Sequence, residues 1–217
     1  NYFLHVALIG IVFRYVWQDE NFLLFFSYSY LSWRILIDPV VEGSHFWKSS
    51  YSYLWHLGIS PNILVSAWFM ADLLKTLLWL IPTLIFTSLF LGSMPIYFFS
   101  FLIALIFLRI SGFLAGYIFS FAAARFWELS QTINTLVLLA YLLSPVFWSP
   151  DRLTEEHKWL VEINPIYYFI ELPRNFALGT PSDVSIVLIA LLMSLVLLLG
   201  AYICHKKFKN KAILWVN

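Results

Sequence analysis

The last apolar run, residues 184–204, decides which solvent this chain can fold in. It holds 21 residues without one Asp, Glu, Lys or Arg. About 20 such residues are what a helix needs to cross the hydrocarbon core of a bilayer. Composition agrees: 61% of the residues are hydrophobic and 12% are charged, against about 25% charged in soluble domains. That excludes a soluble globular enzyme and a disordered chain. The formal net charge of +1 gives no support to nucleic-acid binding. The single cysteine, Cys204, cannot form an internal disulfide or a thiolate metal site.

Five further apolar stretches precede that run, at about residues 2–17, 22–41, 63–90, 96–124 and 133–148. The expected fold is an all-α integral membrane domain of six spans over residues 1–217. The first stretch is short and begins without Met, as though its start were missing. In the fourth, Gly112 and Gly116 stand at the small-xxx-small spacing that lets helices approach closely.

Basic residues in short connections set the orientation. With the tail after the sixth span inside, alternation collects Lys48, Arg125, Lys206, Lys207, Lys209 and Lys211 on the cytoplasmic side, against Glu42 and Glu128. The outer side receives residues 18–20, 92–95 and 149–183, and the last of these is predominantly acidic. Both termini are therefore expected inside.

Two connections are more than turns. Residues 43–61 are aromatic and polar, with Phe46, Ser50, Tyr53 and Leu57 at helical spacing and Gly58 where a cap would sit. They predict a short helix lying along the cytoplasmic surface. Residues 149–180 open with Ser149-Pro150, a helix-start signal. They predict a charged helix over 151–163, a break at Asn164-Pro165, and an apolar helix over 166–177. Gly179-Thr180-Pro181 closes the unit. Two helices inserted between spans read as a re-entrant external hairpin, which persists where protein or a wet cavity satisfies its backbone.

No phosphate loop, HExxH, CxxC or GxSxG occurs, and the five histidines have no metal-ligand spacing. No catalytic or metal residue is therefore predicted. Adjacent Glu155 and Glu156 point different ways on a helix and read as a solvated face. Charges inside spans are expensive and count as functional candidates. Arg34 and Asp38 lie four apart and Asp72 and Lys75 three apart, so each pair can neutralise itself within one helix. Arg109 has no such partner and must find one on another helix. The aromatic excess, 20% of the chain, has two uses: packing and lipid contact, or lining a path for sugar rings. Tyr28, Tyr30, Trp33 and Tyr141 are the candidates for the second.

The stretch Leu143-Ser-Pro-Val-Phe-Trp-Ser-Pro-Asp-Arg-Leu153, followed by Trp159-Leu-Val-Glu-Ile-Asn-Pro-Ile-Tyr-Tyr-Phe-Ile-Glu-Leu-Pro-Arg174 and Leu178-Gly179, resembles the ABC-2 permease family. It is most similar to the branch that exports O-antigen, capsule and teichoic acid. Residues 33–44, ending Val-Val-Glu-Gly-Ser, look like the end of that family's second span. Arg125-Phe126-Trp127-Glu128-Leu129 resembles its cytoplasmic Arg-Phe-Arg-Asp element, with Trp127 replacing the second Arg and Glu128 replacing Asp.

The resemblance implies a multi-pass permease of a bacterial or archaeal cytoplasmic (inner) membrane. It would act as a homodimer with two copies of a separate ATPase subunit, which hold the ATP and Mg; this chain would carry no cofactor. The cargo implied is a lipid-linked polysaccharide. Residues 43–61 would couple to the ATPase through Phe46, Trp47, Tyr51, Tyr53 and Trp55, helped by Arg125 and Glu128. Asn164, Pro165, Tyr167, Tyr168, Phe169 and Arg174 would form the external gate. The alternatives are an ABC-2 permease for a drug or lipid, an integral-membrane enzyme acting on lipid-linked sugars, and an accessory membrane subunit.

Overall fold

The computed structural model describes residues 2–180 and 183–215; for Tyr2, Phe3 and Trp17 only the backbone enters. Pro181, expected to close the external unit, lies outside the described residues. Every regular element among the described residues is helical. Helices α1 (Tyr2–Trp17), α2 (Phe22–Trp55), α3 (Pro61–Leu91), α4 (Phe98–Arg125) and α5 (Trp127–Leu143) follow one another through short turns. Two single 3-10 turns, Pro150–Arg152 and Glu155–His157, and the four-residue α6 (Trp159–Glu162) lead to α7 (Pro165–Leu178). Helix α8 (Val184–Trp215) comes last. Three helices, α3, α4 and α8, are long and apolar enough to cross a membrane.

The axis of the bundle is α2, 34 residues long. Most of its side chains are buried, yet it is rich in serine. Ser27, Ser29 and Ser32 donate to the carbonyls of Leu23, Phe25 and Tyr28 at 2.7, 2.9 and 2.8 Å. Bonded back to their own helix, these hydroxyls can be buried without an orphaned donor. They also keep the helix slim, so α4 can lie directly on it. A Cβ on Gly112 would stand 2.6 Å from the Leu36 carbonyl oxygen, and one on Gly116 would strike the Pro39 carbonyl. On the facing side, a Cβ on Gly43 would strike the Gly116 carbonyl. The glycine spacing read from the sequence is thus the place where two backbones touch.

The buried side chains form two clusters. One, at the Phe22 end, joins α1, α2, α4 and α7 around Phe26, Leu31, Phe101, Val146 and Ile170. The other, at the Trp55 end, joins α2, α3, α4 and α8 around Phe46, Trp47, Trp68, Phe121 and Ala212. Outward faces are apolar over long stretches, as with Leu188, Leu192, Val196 and Leu199 on α8 and Leu74, Ile81 and Ile85 on α3. Bands that large on a soluble monomer would be association surfaces. Around satisfied backbones they suit a hydrocarbon solvent.

Connections assigned to the same side by charge gather at the same end. At one end Arg152 pairs with Asp19 at 3.1 Å. There the amides of Ile96 and Tyr97 also donate to the carbonyls of Ala177 and Phe176 at 3.0 Å. At the other end Ser130 Oγ donates to the Ser44 carbonyl at 2.7 Å. Lys48 Nζ lies 3.5 Å from the centre of the Trp127 ring, and Arg125 lies over Trp215 at 5.8 Å.

Four expected boundaries differ. The segment 43–61 is not a helix of its own up to its end: residues 43–55 continue α2, and the turn follows at His56–Ser60. No Pro or turn chemistry interrupts 41–45, and Gly43 serves the α4 contact instead of a break. The charged helix expected over 151–163 is absent. Leu153 and Thr154 adopt extended backbone (ψ 140° and 156°) and split it into short turns. Helix α5 stops at Leu143, so residues 144–148 of the fifth stretch form a turn, while α8 runs on through the basic tail to Trp215.

Candidate functional site

Helices α2, α3 and α5 leave a cleft of about 620 Å³ between them, lined by charged and apolar side chains together. Along α2, Arg34, Asp38 and Glu42 follow one another every four residues and so share a face. Across from them α3 presents Lys75, Leu78 and Trp79, and α5 presents Asn134 and Val137.

The pairing combines one local and two long-range contacts. Arg34 Nη2 and Asp38 Oδ1 are 3.0 Å apart along their own helix. The Arg34 guanidinium also lies 4.5 Å from the centre of the Trp79 ring, and Trp79 donates a hydrogen bond to Asp38. Lys75 does not pair with Asp72 as its spacing predicts. Its Nζ reaches Glu42 Oε2 on α2 at 2.6 Å, and Trp68 Nε1 donates to the same oxygen at 3.3 Å. Asp72 instead meets Arg109, with Nη2 2.8 Å from Oδ1 and both side chains fully buried.

Behind the cleft, Arg109 ties three helices. Its Nε and Nη2 donate to the Asp72 carbonyl at 2.9 and 2.6 Å, and its Nη1 donates to the Ile35 carbonyl at 2.9 Å. The last contact has a specific cause. Pro39 sits inside α2, and its ring nitrogen has no hydrogen for the carbonyl four residues back, which is that of Ile35. The guanidinium supplies the missing donor.

The residues proposed for coupling divide into two groups. Phe46 and Trp47 are in the core: Phe46 stacks on Trp68 at 4.6 Å, and Trp47 Nε1 donates to Ser120 Oγ at 2.9 Å. Neither offers a surface to a partner. Tyr53 and Trp55 are exposed, and Tyr51, partly buried, stacks on Trp55 at 6.1 Å. Arg125 and Glu128 are exposed at the same end.

The residues proposed for the gate also divide. Asn164 caps α7: its Oδ1 accepts from the Ile166 amide at 3.0 Å, and its Nδ2 donates to the Leu143 carbonyl at 3.2 Å and Ser144 Oγ at 3.1 Å. Pro165 occupies the first helical position. Tyr167 and Tyr168 are partly exposed, and Tyr168 OH donates to the Glu162 carbonyl at 2.8 Å. Phe169 is buried. Arg174 is buried too, and pairs with Glu171. It donates to the Pro145 carbonyl at 2.8 Å and Ser29 Oγ at 3.3 Å, and lies over the Phe25 ring at 4.4 Å. It fastens α7 to α2.

The four aromatics proposed for a pathway do not share one wall. Tyr28 meets Phe101 edge-on at 5.5 Å, with its OH 3.4 Å from Thr87 Oγ1, on the α3 and α4 side. Tyr30, Trp33 and Tyr141 lie between α1, α2 and α5: Tyr30 stacks on His5 at 4.4 Å, and Trp33 meets Tyr141 at 5.3 Å.

Glu42, Trp79 and Asn134 are absent from the sequence-based candidates. The four-residue rhythm Arg34, Asp38, Glu42 would have exposed Glu42 had the second helix not been ended at residue 41. Among the described residues no three His, Cys, Asp or Glu side chains gather where they could hold a metal ion. The chain matches neither a family model nor a curated protein.

Proposed function

We propose that this chain is the membrane-spanning permease subunit of an ABC exporter that moves a lipid-linked polysaccharide out of the cytoplasm. It would work as a pair of identical chains with two separate ATPase subunits. The observation that carries the reading is the charged, half-open cleft of α2, α3 and α5, a place where four charged side chains of the bundle line an open volume. A bundle that only anchors has no use for four ionised side chains at that depth, whereas a polar cargo does. The resemblance of residues 143–179 to ABC-2 permeases names the class of machine. In this reading α1 and α5 are spans as well, giving six with α2, α3, α4 and α8. The unit from Pro150 to Leu178 is a re-entrant hairpin on the outer side, and both termini lie inside. Tyr53 and Trp55, the exposed rings at the end of α2, meet the ATPase with Arg125 and Glu128 beside them.

A second reading, an ABC-2 permease for a drug-like or lipid substrate, has one feature in its favour. An apolar pocket of about 520 Å³ lies between the end of α5 and the start of α7, lined by Leu142, Leu143, Trp148, Leu160 and Ile166.

Co-expression with an ABC ATPase from the same genome tests the reading. A complex of two permeases and two ATPases should purify, with hydrolysis confined to the ATPase. Alanine at Tyr53 and Trp55 should weaken that complex by at least ~2 kcal/mol, as hot-spot rings do. Stoichiometric ATP hydrolysis by this polypeptide alone would end the half-transporter assignment. Export of a lipid with no loss of surface glycan on depletion would favour the second reading.

A further inference from the structure

The cleft has a charge balance that selects its ligand. Each of its cations already faces its own carboxylate, Arg34 with Asp38 at 3.0 Å and Lys75 with Glu42 at 2.6 Å. The neighbouring Arg109 is matched by Asp72. An anionic group such as a phosphate would have to displace one of these carboxylates or sit beside it, and like charges at that range repel. A strongly cationic ligand meets the same obstacle from the other side. What remains open to an incoming molecule is the hydrogen-bonding capacity of paired ions. Carboxylates accept, guanidinium and ammonium donate, and the Asn134 amide does both.

The four ionic side chains are neither sealed nor free. Arg34, Lys75 and Glu42 keep 35, 39 and 33% of their side-chain surface exposed, and Asp38 keeps 14%. Half-exposed ions in a span are stable where water or a hydroxylated ligand reaches them. Beside them on the same three helices the lining is apolar: Val41, Leu78, Val137 and the ring of Trp79, one face of which Arg34 covers at 4.5 Å. A volume of about 620 Å³ falls inside the ~300–1,000 Å³ range of small-molecule sites. Hydrogen-bonding ions interleaved with apolar and aromatic side chains match a molecule with hydroxyls at its rim and C–H groups on its face.

From this juxtaposition we infer that the cleft of α2, α3 and α5 binds an uncharged sugar ring. Hydroxyls meet Asp38, Glu42, Lys75 and Asn134, and the C–H face lies against Leu78 and Trp79. The inference rests on the exporter reading above and adds to it where the glycan touches the chain and that the contacting unit carries no charge. The phosphate of a lipid carrier is bound elsewhere.

Two photoreactive amphiphiles test this on the full chain in phosphatidylcholine nanodiscs. One is a dodecyl maltoside with a diazirine next to the headgroup; the other is the matching dodecyl phosphate. The maltoside should label peptides of α3 around Leu78 and of α5 around Val137 about tenfold more than the phosphate does, a difference of the size that hydrogen bonds to charged groups provide. Asn134→Ala and Trp79→Ala should each remove most of that labelling while leaving labelling of the lipid-facing Leu192 stretch unchanged. Asn134 is exposed, so its variant decides the matter if the tryptophan variant fails to fold. Equal labelling by both probes, no labelling of the cleft peptides, or labelling indifferent to Asn134→Ala would overturn the assignment. Co-purification with the ATPase is read on the same preparations. If the complex forms and the cleft stays unlabelled, the sugar site falls and the exporter reading stands. If the cleft labels and no ATPase binds, the exporter reading falls.

Discussion

Arg109 shows how much one side chain can hold in a low-dielectric interior. It donates to two backbone carbonyls on two helices and forms an ion pair with one carboxylate, all at zero exposure. A buried charge left alone costs far more than its pair gains, so breaking such a pair costs about 3–5 kcal/mol. Asp72→Ala should therefore lower the thermal stability of the detergent-solubilised chain by about that much. Arg109→Lys keeps the charge but not the fork, and cannot reach the Ile35 carbonyl and the Asp72 contacts together. It should still lose about 1–3 kcal/mol, and a melting curve unchanged from the parent would show that the network is dispensable. That Arg109 needed a partner on another helix was legible, because nothing on its own helix could serve. Which partner was not legible. Asp72 and Lys75 are three apart and look self-sufficient, and only the packing of α3 against α2 and α4 turns Lys75 towards Glu42 and leaves Asp72 to Arg109. Aromatic side chains were harder still, since a spacing that fits a helix does not say which face is buried. Trp47, 1% exposed, and Trp55, 57% exposed, stand eight residues apart in the same helix.

At the scale of elements, the contact between α2 and α4 depends on the absence of side chains. Gly116→Ala should push the two backbones apart, because the new Cβ meets the Pro39 carbonyl, and should cost about 1–3 kcal/mol as overpacking does. Gly200→Ala on α8 is the control. Its Cβ meets only the flexible end of the Ile118 side chain, at 3.1 Å. Equal behaviour of the two variants in thermal unfolding would mean that the crossing tolerates separation. Punctuation residues made some elements readable. Asn164 and Pro165 start α7, and Gly179, at φ 75°, ends it in the left-handed region that glycine tolerates best. Where such residues were missing the reading erred. Nothing marked the extended backbone at Leu153 and Thr154, and nothing marked the passage of α2 through residues 41–45.

At the scale of the molecule, sidedness is the property most worth testing, because every functional role above depends on it. Charge alternation puts residues 18–20, 92–95 and 149–183 on one side, and the bundle brings together at one end the parts of them that are described. Single cysteines in a Cys204→Ser background separate the two ends. With an impermeant maleimide on intact cells, Glu156→Cys should react and Glu128→Cys should not until the membrane is opened. Reaction of both from outside would overturn the arrangement. The apolar runs made the helical bundle legible from composition and length alone. The cleft was not legible, because it is assembled from three helices whose relative rotation no single stretch of sequence encodes.

The backbone contact at Pro39, Gly43 and Gly116 lies near the middle of α2, with 17 residues from Phe22 to Pro39 and 16 from Pro39 to Trp55. At 1.5 Å per residue these are arms of about 25 Å on either side of a fulcrum. A rigid rod pivoted at its centre swings its two tips by equal amounts in opposite directions. A sideways push on Tyr53 and Trp55 would thus arrive reversed at Phe22 and Phe26 as far as the two arms stay rigid across Pro39, where the Arg109 guanidinium takes up the Ile35 carbonyl that the helix leaves unpaired.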